Sequence, residues 1–132
     1  MSKLIQLLEE IKAAGKEASL PLDMQYWYDC GTSCCACGDV AIARGSENVS
    51  DDAVEFAWVL NRACINIFGN AYFVRSIYSA NKLNRHVRAK RTKLFTKEEL
   101  THPHLKSDHH DREILHSYID LCIKKVQEYI NS

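Results

Sequence analysis

Apolar residues at Leu4, Leu7, Leu8, Ile11 and Ala14 fall three and four positions apart, the spacing that gathers side chains on one face of a helix. Ser2 stands where a cap would open that helix, and Gly15 weakens its end. The segment LPLDMQYWYDCG carries Pro21, Asp23 and Gly31 among aromatic residues, a composition that predicts an ordered loop laying Trp27 on the core. Thr32 or Ser33 is placed to cap a second helix through CCACGDVAIAR, short and mostly apolar, with Gly45 just past its last turn. A third and central helix follows in SENVSDDAVEFAWVLNRACINIFG. Ser50 or Asp52 is its expected cap, and Phe56, Val59, Leu60, Ala63 and Ile67 form its apolar series. Gly69 and Asn70 mark a stop and a restart, after which Tyr72, Phe73, Ile77, Tyr78 and Leu83 predict a fourth helix paired with the third as a hairpin. TKEE at Thr96–Glu99 is a capping box opening a short turn that Pro103 limits. The last helix has Ile114, Leu115, Tyr118, Ile119, Cys122, Val126, Tyr129 and Ile130 on one stripe.

No segment alternates with a period of two, and no repeat or composition break marks a linker. The expectation is an all-α fold, one compact domain over residues 1–132 with about five helices, in which the Cys-rich segment is a loop leading into a short buried helix. Trp58 and Ile119 are both expected in the core, where truncation to Ala costs roughly 3 to 5 kcal/mol. A length of 132 residues suits one domain, and 46% hydrophobic with 26% charged residues is a globular composition. Seventeen basic residues balance seventeen acidic ones, so the chain has no overall field for a phosphate backbone or an anionic membrane, and any electrostatic partner must meet a local patch. The first apolar run is broken by Glu9 and Glu10 before it reaches the length of a secretory core, and no run approaches the roughly 20 apolar residues of a membrane span. A cytoplasmic protein is expected, with its thiols reduced.

Four of the six cysteines lie within eight residues, at Cys30, Cys34, Cys35 and Cys37. Cys30, Cys34 and Cys37 have the spacing C-x3-C-x2-C, compatible with thiolates converging on zinc, with His102 or one of His104, His109, His110 and His116 as a fourth ligand. The same letters occur in radical SAM enzymes, whose βα barrel this chain does not supply. Structural zinc sites take two separated ligand pairs, whereas only one cluster exists here. The leading reading is therefore packing: cysteines as small apolar side chains at a crowded helix start, with no cofactor and zinc as the alternative. Cys30 or Cys35 near a helix N-terminus would gain acidity and could pair with a distant histidine as a reactive thiolate. Glu99 with His102, and Glu113 with His116, match the E-x-x-H pairs of di-iron bundles, but Pro103 cuts the first pair's helix short.

Trp27, Cys30-Gly31-Thr32, Cys35, Gly38 and Ala41 together resemble a signature W…CGTxxCxxG found in short uncharacterised proteins of bacteria and their phages. The resemblance spans Met24 to Gly45. It maps the recurring cysteines to Cys30 and Cys35, while Cys34 and Cys37 are additions of this chain. It implies a phage or mobile-element origin and carries no activity with it.

The run NRHVRAKRTK brings Arg85, Arg88, Lys90, Arg91 and Lys93 together in an otherwise neutral chain, as a linker between the fourth helix and the next or as a partner-binding patch. Only Phe95 follows it as an aromatic, so base stacking has little support, and an acidic protein surface is the favoured partner over nucleic acid. No nucleophile elbow, phosphate-cradling glycine loop or zinc-protease helix is present. The function expected is that of a small non-enzymatic interaction protein, a phage-encoded accessory factor binding a host macromolecule. The alternatives are a nucleic-acid binder using segment 85–93 and a zinc protein using the cysteine cluster.

Overall fold

The apolar stripes become helices in a computed structural model that describes residues 2–24, 28–29 and 33–132. In chain order they are α1 (Lys3–Lys16), α2 (Ala36–Ala43), α3 (Val49–Phe68), α4 (Tyr72–Tyr78), α5 (Lys82–Thr92), α6 (Pro103–Lys106) and α7 (Arg112–Asn131), with a 3-10 turn at Glu99–Thr101. The fold is all-α. Ahead of α2, β1 (Tyr28–Asp29) and β2 (Ser33–Cys34) pair antiparallel, Tyr28 opposite Cys34, so the described part of the Cys-rich segment holds a minimal ribbon where only a loop was expected. Trp27 and Thr32 lie outside the described residues.

Among the described residues seven α-helices replace the roughly five expected, for two local reasons. The predicted fourth helix breaks where Ser79 turns extended, and Asn81 recaps the chain by accepting the Asn84 N–H at 2.9 Å, so α4 and α5 are separate. Pro103 begins a helix as well as limiting one: it occupies the first turn of α6, whose cap is the His102 ring. Other ends follow sequence chemistry. Gly45 and Gly69 take φ of 77° and 80° just past α2 and α3, a left-handed backbone that costs glycine little. Thr96 and Glu99 close the capping box with reciprocal bonds of 2.8 and 3.1 Å. The cap of α3 is Asn48 instead of Ser50 or Asp52, and that of α2 is Cys35 instead of Ser33. Gly15 is the last residue but one of α1, at the helix end where it was expected, and the His116 imidazole of α7 crosses there so closely that a Cβ would meet the ring at 2.3 Å.

Leu4, Leu8 and Ile11 of α1, Phe56 and Leu60 of α3, Phe73 and Ile77 of α4, and Leu115 and Ile119 of α7 are fully buried in one core. Cys37, Cys64 and Cys122 are wholly buried among them as small apolar side chains, and burial pushes the Cys64 thiol up to about 11. Around the core, Arg112 of α7 clasps Asp39 of α2 with two bonds of 2.8 and 2.6 Å, and Arg44 after α2 clasps Glu10 of α1 likewise at 2.8 and 2.7 Å.

Between α4, α5 and α6 the core turns polar. Arg85, the first cation of the basic run, has no exposed surface. Its Nε donates to the His104 carbonyl at 2.6 Å, Nη1 to that of Ser79 at 3.1 Å and Nη2 to that of Ser107 at 2.8 Å, with the Asp108 carboxylate 4.0 Å away. His104 lies beside it, stacked on the Tyr118 ring with centroids 4.6 Å apart. Both neighbours of its Nε2 are carbonyl oxygens, Ser76 at 3.0 Å and Ile77 at 3.1 Å, so Nε2 carries the proton and Nδ1 accepts from His109 Nε2 at 2.8 Å. His109 Nδ1 in turn accepts the Asp111 N–H at 3.1 Å. Each imidazole is thereby held neutral in one tautomer. Burial and then the Arg85 charge push His104 down to about 2, and burial lowers His109 and His102 as well.

Replacing Arg85 by Ala is expected to cost about 3–5 kcal/mol in urea unfolding, because three carbonyls lose their donor in a dry site. Acid lability follows from the histidines. Their folded pKa values lie below the ordinary imidazole value of 6.5, so their contribution is complete above pH 6.5 and is lost progressively as pH falls below it. His104 alone should remove about 2 kcal/mol between pH 6.5 and pH 5, read as a falling urea midpoint, and His104→Phe should flatten that dependence.

Candidate functional site

Helix α3 spends its Ala53, Phe56, Ala57, Leu60 and Cys64 face on the core, which turns Trp58, two residues from both Phe56 and Leu60, about 200° away. Trp58 is 68% exposed, where a core position was expected. Val54 and Ile65 share its outward face at 37% and 43%. The indole forms a ridge between two depressions. On one side lies an apolar groove of about 630 Å³ walled by Leu4, Val59, Ala63, Ile67 and Ile130. On the other is a cleft of about 460 Å³ whose lining includes Asn61 of α3, Arg75 and Tyr78 of α4, Arg88 of α5 and the nearly buried Cys35.

Chemistry differs across the ridge. The Tyr78 hydroxyl donates to Asn61 Oδ1 at 2.5 Å, tying α4 to α3 at the cleft wall, and burial raises the Tyr78 pKa. Among the described residues lining this cleft no carboxylate balances Arg75 and Arg88, so an anionic group entering it meets two cations. Cys35 occupies the N-cap of α2, next to the cleft and 2% exposed. The adjacent Cys37 thiol lowers its pKa most; burial opposes this, and the backbone N–H groups of Gly38 and Cys37 reinforce the lowering. Cys37 moves the opposite way, its proton retained by the Cys35 sulfur and by complete burial. Of the described cysteines with a shifted pKa, Cys35 alone shifts towards the thiolate.

The basic run is divided by its helix. Arg85 is buried and is withdrawn from the partner-binding set, because its guanidinium is consumed by three backbone carbonyls. Arg88, about one turn later, enters the cleft. Lys90, Arg91 and Lys93 stay exposed, Arg91 with its guanidinium 5.5 Å from the centre of the Tyr72 ring and Lys93 left-handed at the end of α5. The segment is helix, not linker.

Of the zinc candidates, Cys30 and the side chain of Cys34 lie outside the described residues. Cys37 is sealed in the core, and both ring nitrogens of His102 are engaged, Nδ1 accepting the His104 N–H at 3.1 Å and Nε2 bonded to Ser117 at 3.0 Å. The E-x-x-H pairs are structural too: Glu99 is bound to Lys125 at 2.7 Å, and the His116 ring fills the space over Gly15. Among the described residues no three His, Cys, Asp or Glu side chains converge as for a metal, and no helix is long and apolar enough to cross a membrane.

Neither Trp58 nor Arg75 was singled out as a surface group from the sequence. The available signal was angular, since a strict 100° wheel on α3 puts Trp58 off the Phe56–Leu60 stripe. No protein-family model, curated protein or solved structure matches the chain.

The exposure of Trp58 has a direct thermodynamic consequence. Trp58→Ala should change unfolding free energy by less than about 1 kcal/mol, as an exposed substitution does, whereas Ile119→Ala, at a wholly buried position, should cost about 2–5 kcal/mol in the same urea titration.

Proposed function

We propose that the protein is a binding protein whose partner, an acidic amphipathic segment of another protein, docks over the Trp58 ridge. The observation that carries this reading is a tryptophan 68% exposed on a helix whose Phe56, two residues earlier, is 2% exposed. Tryptophan and arginine are the side chains that most often dominate protein interfaces, because each joins a large contact area to a polar handle. Here Trp58 is flanked by Arg62 on the groove side and by Arg75 and Arg88 on the cleft side. A partner presenting apolar side chains to the groove and carboxylates to the arginines satisfies both faces. The function needs no cofactor. The resemblance of the Cys-rich segment to short bacterial and phage proteins supports a host macromolecule as the partner, and a cytoplasmic encounter is consistent with that.

Nucleic-acid binding is the second reading, supported by the exposed Lys90, Arg91 and Lys93 at the end of α5. Phosphate contacts would make it salt-dependent.

The test is differential capture. Wild-type protein and Trp58→Ala, both shown to fold by circular dichroism, are used as baits in a bacterial lysate. Bands retained by wild type and weakened at least tenfold by Trp58→Ala, a loss of about 1.4 kcal/mol or more, support the docking surface. Equal retention by the two baits removes it. Salt-sensitive retention of the protein on DNA, lost in Lys90→Ala/Arg91→Ala/Lys93→Ala and unaffected by Trp58→Ala, would establish the second reading in its place.

A further inference from the structure

Helix α3 carries its charges in two halves. Asp51, Asp52 and Glu55 all precede Trp58, and Arg62, the single basic residue of the helix, follows it. At about 100° and 1.5 Å per residue, Glu55 and Arg62 both lie within about 60° of Trp58 and about 10.5 Å from one another along the axis. Both are exposed, and neither joins an ion pair among the described residues, since the nearby Arg44 is held by Glu10. The surface around these charges is apolar: Trp58 is 68% exposed, Val59 42% and Ile65 43%. Beside Trp58, along the C-terminal half of α3, lies the groove of about 630 Å³ that Leu4 of α1 and Ile130 of α7 close. A knob and a hole thus stand side by side on one surface. A two-fold interface requires that arrangement, because a single patch must supply both halves of the fit.

We propose that a second copy of the chain covers this face, its α3 antiparallel to the first about a two-fold axis, and that this self-association masks the docking ridge. The charges place the axis. Glu55 and Arg62 are equidistant from a point midway between Trp58 and Val59, so an axis there sets Glu55 of each copy against Arg62 of the other. Asp51 and Asp52 add carboxylates at the acidic end, and Lys3 of α1 adds a cation beside the groove. A parallel pairing would set Glu55 against Glu55 and Arg62 against Arg62, which like-charge repulsion disfavours. The tryptophan fits in the same sense. Side chains lean towards the N-terminus of their helix, so the indole of an antiparallel copy leans towards the C-terminal half of the first α3, where the groove lies. Each Trp58 then leaves water for the groove of the other copy. Burial of the indoles, with Val59 and Ile65 around them, drives the association, and the two Glu55 and Arg62 pairs fix its direction. The inference rests on the docking reading in one respect: the second copy occupies the place of the acidic partner segment, so the partner binds the monomer.

The test is the mass of the purified full-length chain by sedimentation equilibrium at low salt, over concentrations from roughly 1 μM to 1 mM. Wild type should rise from 15.1 kDa to twice that mass. Glu55→Arg and Arg62→Glu, both at exposed positions and checked for folding by circular dichroism, should each weaken association at least tenfold, because each sets like charges together twice in the dimer. An equimolar mixture of these two variants should recover wild-type association to within about threefold, since opposite charges face one another again. Trp58→Ala should also weaken association at least tenfold. A monomer at every concentration overturns the proposal, as does a dimer unaffected by Trp58→Ala or a mixture that associates no more strongly than its components. The two readings fail separately. Trp58-dependent capture of lysate bands by a chain that stays monomeric puts a different protein on this face, overturning self-association and leaving the docking reading in place. A dimer that captures no such bands upholds self-association and removes the docking reading.

Discussion

A guanidinium without exposed surface governs the arrangement of the C-terminal half. The groups that hold Arg85 are the carbonyls of Ser79, just past α4, and of His104 and Ser107 in and just past α6. Carbonyls at helix ends have no partner within their own helix, and leaving them dry is costly. One side chain satisfies the ends of two short helices that could not persist alone. The cation tolerates this site because the nearest imidazole is neutral. His104 uses its Nε2 proton on the last turn of α4, so its ring and Arg85 serve neighbouring carbonyls without competing for charge.

That inward turn of Arg85 also places the functional groups. With Arg85 facing α6, a residue three positions later lies about 300° round the helix, on the flank beside α4. Arg88 therefore shares a cleft with Arg75. The remaining cations point elsewhere, and what reads as one basic patch in the linear chain is one structural residue, one cleft residue and three exposed ones.

The helices α1, α3 and α7 were legible because their apolar stripes run for several turns, and so were the box at Thr96 and the glycine stops at Gly45 and Gly69. The break between α4 and α5 was not legible, since Tyr78 and Leu83 keep the helical spacing while the chain between them turns extended at Ser79. Nothing in the letters NRHVRAKRTK distinguishes Arg85 from Arg88. The distinction arises from the carbonyls that α6 brings to α5, a contact across nineteen residues and more. The exposure of Trp58 has a simpler reason: hydrophobicity alone does not imply burial, large apolar side chains often stand on surfaces, and the helical wheel decides. The packing role expected of the cysteines holds for Cys35, Cys37, Cys64 and Cys122, all buried, with Cys35 at the start of α2.

Beside the two thiols of α2 lies a salt bridge that ties this helix to α7. Asp39, two residues after Cys37, is a carboxylate whose negative charge opposes ionisation of both Cys35 and Cys37. Left alone in a side chain 1% exposed, it would be costly to bury. Arg112 grips it with two bonds from the first turn of α7, so the buried carboxylate is paired. The same pair fixes α2 against α7. A single bidentate contact thus serves packing, by clamping a short and mostly apolar helix onto α7, and electrostatics, by pairing the one carboxylate that helix buries.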